Sequence, residues 1–165
     1  MATVPVEENS MPLCEELARR AYNDERIGIA IGTFPLIHGG AIRFLKEARA
    51  NCDTLVALIL MDPQSLQDST GGKMASGLLK PDERGRLLAS LRTLDAVQAV
   101  DEPQALLTTW SRKLPDARWY ANAAEKDLPE GVREMMDNAG IKINFLHQDE
   151  PCTTQALVRR MGGHV

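Results

Sequence analysis

The residues that stand out for chemistry are His38, Gly39 and Gly40 at the end of the run Gly32-Thr33-Phe34-Pro35-Leu36-Ile37-His38-Gly39-Gly40-Ala41. An isoleucine-rich segment precedes this run and an amphipathic one follows it, so it reads as the turn from a buried strand into a helix. Such a turn holds anions well. The first backbone N–H groups of a helix lack intrahelical partners and carry partial positive charge, and glycines let a phosphate approach without meeting a Cβ. His38 can then donate to a phosphoryl oxygen and stabilise charge that builds up during transfer. The same pattern equally fits a plain tight turn with His38 as a surface or capping residue.

Three further groups share that chemistry. Cys152-Thr153-Thr154 opens the final helix directly after Pro151, where hydroxyls either serve only as an ordinary N-cap or also touch phosphate. Lys73, behind Gly71 and Gly72, is either a cation that closes over a triphosphate or a solvated lysine. Arg84 and Arg86, in the first turns of the helix after Pro81, either reach the same edge or lie on an exposed helix face. Trp110 and Trp119 more often fill a core or interface than stack on a base. His147 and His164 have no partner at ligand spacing. Cys14, Cys52 and Cys152 are scattered and odd in number, which argues against a disulfide framework and structural zinc.

The elements that must position these groups alternate. Leu13, Leu17 and Ala21 recur at helical spacing up to Tyr22. Arg26 to Gly32 is a strand, Thr33 to Gly40 a loop, and from Ala41 the spacing Ile42, Leu45, Ala48 describes an amphipathic helix. Asp53 to Met61 is a continuous apolar run, as in a strand buried on both faces. The pattern predicts a helix from Pro81 to about Leu94, a strand over Ala96 to Val100 and a helix over Glu102 to Lys113. A strand near Arg118 to Ala121, a helix near Pro129 to Ala139 stopped by Gly140, a strand over Ile141 to Leu146 and a helix from Thr153 to about Met161 complete it. Between Asp62 and Lys80 a long Gly- and Ser-containing loop breaks the alternation. Strands alternating with helices imply an α/β fold whose mostly parallel sheet carries helices on both faces and binds ligands at the carboxyl ends of its strands.

A chain of 165 residues with 44% apolar content suits one domain. Residues 1–25 form a leader and N-terminal helix, and residues 26–165 the domain proper. A net charge of −4 argues against a surface built for nucleic acid or an anionic membrane. No apolar run approaches the roughly 20 residues of a membrane span, and the acidic start (Glu7, Glu8) is unlike a secretory signal, so a cytoplasmic location is expected.

The segment Ile27 to Ile59 resembles the opening β-α-β of the cytidylyltransferase-like nucleotidyltransferases, whose signature reads Gly-x-Phe-Asp-x-x-His-x-Gly-His. Gly32, Phe34, His38 and Gly40 match it at unbroken spacing. The later course is similar to the adenylyltransferase part of ADP-heptose synthases and to glycerol-3-phosphate cytidylyltransferases. The likeness lies in the loop with Lys73, the Glu83-Arg84 helix start, the passage Leu91-Arg92-x-Leu-Asp95-x-Val97, and Cys152-Thr153-Thr154 where those proteins carry Ser-Thr-Thr. It covers roughly Arg26 to Met161.

The resemblance implies a Rossmann-like nucleotidyltransferase fold with a five-stranded sheet. It also implies transfer of a nucleoside monophosphate from ATP or CTP to a phosphorylated small molecule such as a sugar phosphate, usually with Mg2+ present. His38 and Lys73 would be catalytic, and Gly32, Thr33, Phe34, Gly39, Gly40, Arg84, Cys152, Thr153 and Thr154 would bind nucleotide or phosphate. Related proteins often form dimers, so Leu13 and Leu17 serve either a homodimer interface or the core. Two departures stand out: Pro35 replaces the signature Asp and Ala41 its second His. Trp119-Tyr120-Ala121-Asn122-Ala123 stands where the family has a Lys-Gly-Gly-Asp-like segment. These departures leave open a catalytically inactive nucleotide-binding regulator, or the same pocket turned to another reaction.

Overall fold

The computed structural model describes residues 11–60, 79–123, 128, 130–146 and 152–161. Within them helices and strands alternate: α1 (Met11–Tyr22), β1 (Ile27–Gly32), α2 (Gly39–Ala50), β2 (Thr54–Leu60), α3 (Pro81–Ala89), β3 (Ala96–Val100), α4 (Pro103–Lys113), β4 (Arg118–Asn122), α5 (Glu130–Asn138), β5 (Ile143–Leu146) and α6 (Thr154–Arg160). The five strands form one sheet in the order β3-β2-β1-β4-β5, and each neighbouring pair is parallel. The expected α/β architecture is present, with a sheet that is wholly rather than mostly parallel.

Continuous apolar runs give β1 and β2 their place at the centre, where every residue of both is buried. Because successive side chains of a strand point to opposite faces, the two strands feed two cores. Ile27, Ile29 and Ile31 of β1 and Val56, Leu58 and Leu60 of β2 pack with Cys14 and Leu17 of α1, Leu107 and Trp110 of α4 and Met136 of α5. On the other face Ala30, Leu55, Ala57 and Ile59 meet Phe44, Leu45 and Ala48 of α2 and Leu88 of α3. Helices therefore cover both faces. Leu17 serves the core and Leu13 packs on its margin, and Trp110 and Trp119 are both buried. Phe44 is fully buried, and truncating such a ring to Ala typically costs about 3–5 kcal/mol.

Where the boundaries differ from expectation, local bonding explains them. Helix α2 begins at Gly39 rather than Ala41 because His38 caps it. Helix α3 stops at Ala89 rather than near Leu94, because the Ser90 hydroxyl donates to the Leu87 carbonyl at 2.6 Å and ends the repeat. Asp95 then starts β3: its N–H donates to the Leu55 carbonyl at 2.9 Å, and its carboxylate accepts the Leu55 N–H at 2.8 Å and a bond from Arg49. Gly140 does end α5, in the left-handed region at φ +73°, with the Ile141 N–H returning to the Met136 carbonyl at 2.9 Å. Strand β5 starts at Ile143, two residues later than the apolar run suggested.

Candidate phosphate-binding site

Strand β1 delivers Gly32, paired with Ile59, to the carboxyl edge of the sheet. Two residues on, Phe34 takes φ +45°, a conformation that side chains other than glycine rarely adopt. Burial holds it there: Phe34 is 4% exposed and its ring lies 6.4 Å from that of Phe44, centroid to centroid. Strain of this kind persists only where surrounding packing fixes it, and here the packing fixes the loop that leads to His38.

His38 takes the capping role that the sequence allowed. Its Nδ1 accepts the N–H groups of Gly40 at 3.1 Å and Ala41 at 3.4 Å, which makes it the N-cap of α2. A backbone amide can only donate, so this network assigns Nδ1 as the acceptor and places the ring hydrogen of the neutral imidazole on Nε2. That nitrogen stands 3.3 Å from the Thr154 hydroxyl, and the side chain is buried. The cap thereby orients the ring and turns Nε2 to the Thr154 hydroxyl.

The start of α6 faces it. Thr153 supplies the cap, its hydroxyl accepting the Ala156 N–H at 3.1 Å. Thr154 is buried and turned to His38 instead, and the half-buried Cys152 places Sγ 3.7 Å from His38 Nδ1. Gly39 is exposed, and a Cβ added there would meet nothing nearer than Cys152 Sγ at 3.9 Å. His38, Gly39, Cys152, Thr153 and Thr154 are thus brought together from the two ends of the chain.

Arg84 is not on an exposed face. It is 2% exposed, its Nη1 donates to the Thr33 carbonyl, and Nε and Nη2 have no hydrogen-bond partner among the described residues. Burial pushes its pKa down. Arg86 remains on the surface, 3.6 Å from Asp82. Asn122, which sequence reasoning did not single out, is buried at the end of β4, two residues beyond Tyr120 and its partner Ala30 of β1. Only its place in the Trp119–Ala123 segment could have flagged it. Lys73, the loop around Gly71 and Gly72, and His147 lie outside the described residues.

Among the described residues no three His, Cys, Asp or Glu side chains converge, and the groups facing His38 are the Thr154 hydroxyl and the Cys152 thiol. Such a set does not build an oxygen cage for a hard divalent cation such as magnesium.

The all-parallel sheet with helices on both faces defines a Rossmann-like α/β protein. The chain resembles the cytidylyltransferase-like nucleotidyltransferases, and the relatives it matches agree with that resemblance. It is 32% identical to the bifunctional protein HldE of Rhodospirillum rubrum over 84% of its own length, and 39% identical to that of Koribacter versatilis over 54%. It spans only 27% and 18% of those two proteins. The FAD synthase of Archaeoglobus profundus is 26% identical and matches over 81% of this chain and 84% of its own. Among solved structures, the lipopolysaccharide core biosynthesis protein from Thermoplasma volcanium shares the fold, with a TM-score of 0.52 at 19% identity over 73% of this chain and 93% of that one. No protein-family profile matches the chain. Among the described residues no helix is long and apolar enough to cross a membrane.

Proposed function

We propose that the chain transfers a nucleoside monophosphate from ATP or CTP to a phosphorylated small molecule such as a sugar phosphate. The observation that carries this reading is the arrangement of His38: Nδ1 is held by the amides of α2, so Nε2 is a fixed donor beside the start of a second helix. An oxygen of the acceptor phosphate attacks the α-phosphorus, the bond to the β-phosphate oxygen breaks, and pyrophosphate leaves. Little covalent work falls to the protein, because holding the reactants in line and neutralising charge supplies most of the rate.

In this reading His38 and Lys73 act on the transferring phosphoryl group. Gly32, Thr33, Phe34, Gly39 and Gly40 shape the turn that receives the nucleotide, and Arg84, Cys152, Thr153 and Thr154 contact phosphate. Magnesium would arrive on the phosphate oxygens of the nucleotide. Residues 26–165 would form the transferase domain, behind the leader and helix of residues 1–25. It would work in the cytoplasm, as a homodimer, without a nucleic-acid or membrane partner.

The test is to incubate the folded protein with each nucleoside triphosphate, magnesium and a panel of phosphorylated acceptors, and to measure pyrophosphate. Release with one pairing supports the proposal, and silence across the panel overturns it. One observation favours a second reading. Ala41 stands where the signature has its second His, and it is buried with its N–H given to His38. A protein that binds nucleotide without turnover would show affinity by calorimetry and no pyrophosphate, and Ala41→His would then gain activity.

A further inference from the structure

Arg84 is a buried cation that its own fold leaves half-used. One side of the guanidinium, Nη1, is spent on the Thr33 carbonyl; the other, Nε with Nη2, has no partner among the described residues. Nε–H and Nη2–H point along one edge of the guanidinium plane and form the fork that grips two oxygens of a carboxylate or phosphate at once. Leaving such a fork dry and unpaired is costly, because a buried polar group without a hydrogen bond loses its hydration and gains nothing in return. Burial lowers its pKa, and no charged group among the described residues offsets it.

The loop it touches is the one that departs from the signature. Thr33 lies two residues before Pro35, the position where the signature carries Asp, and Pro35 is buried. Beside this loop the chain has an arginine, and in the loop it lacks the signature carboxylate. These two observations are independent, one from hydrogen bonding and one from sequence, and they fit one explanation.

We propose that the Nε/Nη2 edge of Arg84 is a second oxyanion seat, which takes a phosphoryl or carboxylate group of the ligand in the place left by the missing aspartate. It deepens the nucleotidyltransferase reading by giving the acceptor's anionic group a residue of its own, at the opposite end of the loop from the His38 cap. The fork is shut off from bulk water, so the oxyanion enters when the side chains that cover it move aside, and it is then held where hydrogen bonds to a charged group are strongest.

The experiment uses the full chain without nucleotide. The rise in melting temperature is measured with inorganic phosphate and, separately, with acetate, at constant ionic strength, for the wild type, Arg84→Met and Arg84→Lys. The expected result is a rise with one of the two anions that both variants lose, Lys keeping the charge but not the fork; which anion acts identifies the group. Pro35→Asp gives an independent reading should the arginine variants fold poorly: it is expected to raise the melting temperature without ligand and to abolish the anion effect. An anion effect that survives in Arg84→Met, no effect of either anion on the wild type, or Pro35→Asp leaving it unchanged would overturn the proposal. ATP titration of the same proteins keeps the two readings apart. ATP bound normally by a protein without an anion effect sinks only the arginine seat, whereas an anion effect without any ATP binding sinks only the nucleotide reading.

Discussion

Thr154 holds its hydroxyl 3.3 Å from Nε2 of His38, a residue 116 positions earlier in the chain. The contact joins the start of α6 to the start of α2. Under the proposed function a nucleotide phosphate would share or displace the Thr154 hydroxyl, which would make this pair the point where binding and chemistry are separable by mutation.

The first prediction splits the two nitrogens of His38. Asn is a good N-cap, so His38→Asn keeps a bond to the α2 amides but has no group at the place of Nε2. Its melting temperature is expected to stay near that of the wild type, while transfer falls by about 100-fold or more, the usual worth of one positioned donor. His38→Ala loses the cap as well and should be about 1 kcal/mol less stable. Chemical denaturation alongside a pyrophosphate assay checks both.

A second prediction separates adjacent threonines. Thr153→Ala removes the α6 cap and is expected to cost about 1 kcal/mol. Thr154→Val removes the partner of His38 while keeping the shape, so its main effect should fall on nucleotide affinity measured by calorimetry. Equal effects of the two changes on affinity would contradict these roles.

Cys152 offers a chemical probe of the same place. Its sulfur lies 3.7 Å from His38 Nδ1 and above Gly39, so a thiol reagent attached there would obstruct the turn. Alkylation with iodoacetamide, followed by mass spectrometry of the Cys152 peptide, is expected to slow when saturating nucleotide is present. Cys14 and Cys52 are buried under the helices and should show no nucleotide-dependent change.

The fourth prediction concerns packing below the site. A Cβ on Gly28 would come within 2.5 Å of Cys52 Sγ, so Gly28→Ala is expected to destabilise the fold by about 1–3 kcal/mol. Cys52→Ala should recover much of that loss in the double variant, and a double-mutant cycle measures the coupling.

Acid should weaken the opposite edge of the sheet. Two bonds from the Arg26 side chain and one from its backbone hold Asp53 well below its ordinary pKa of 3.8. A depressed carboxylate contributes stability above its unfolded pKa, and that contribution is lost as pH falls through the lower, folded value. Stability is thus expected to decline below about pH 4, and Asp53→Asn should flatten that part of the curve.

Most of this frame was legible in the sequence because it rests on local patterns. The apolar runs of β1 and β2 and the helical spacing of Leu45 and Ala48 each report burial directly. The site was half legible. Gly32, Phe34, His38 and Gly40 mark the turn by type and spacing, yet nothing in a one-dimensional pattern tells that Thr154 rather than Thr153 would meet His38, since both are hydroxyls at a helix start. The burial of Arg84 was illegible for a related reason: an arginine at the second turn of a short helix normally finds water, and only the tertiary packing of α3 beside Thr33 buries it. Asn122 carried no signal beyond its position.

With β1 between β2 and β4, the chain leaves its first strand for one side of the sheet and later returns to occupy the other. Connections that part company in this way open a natural furrow between them. Its walls come from separate stretches of chain, so one wall can be recut for a new guest while the floor stays as it is.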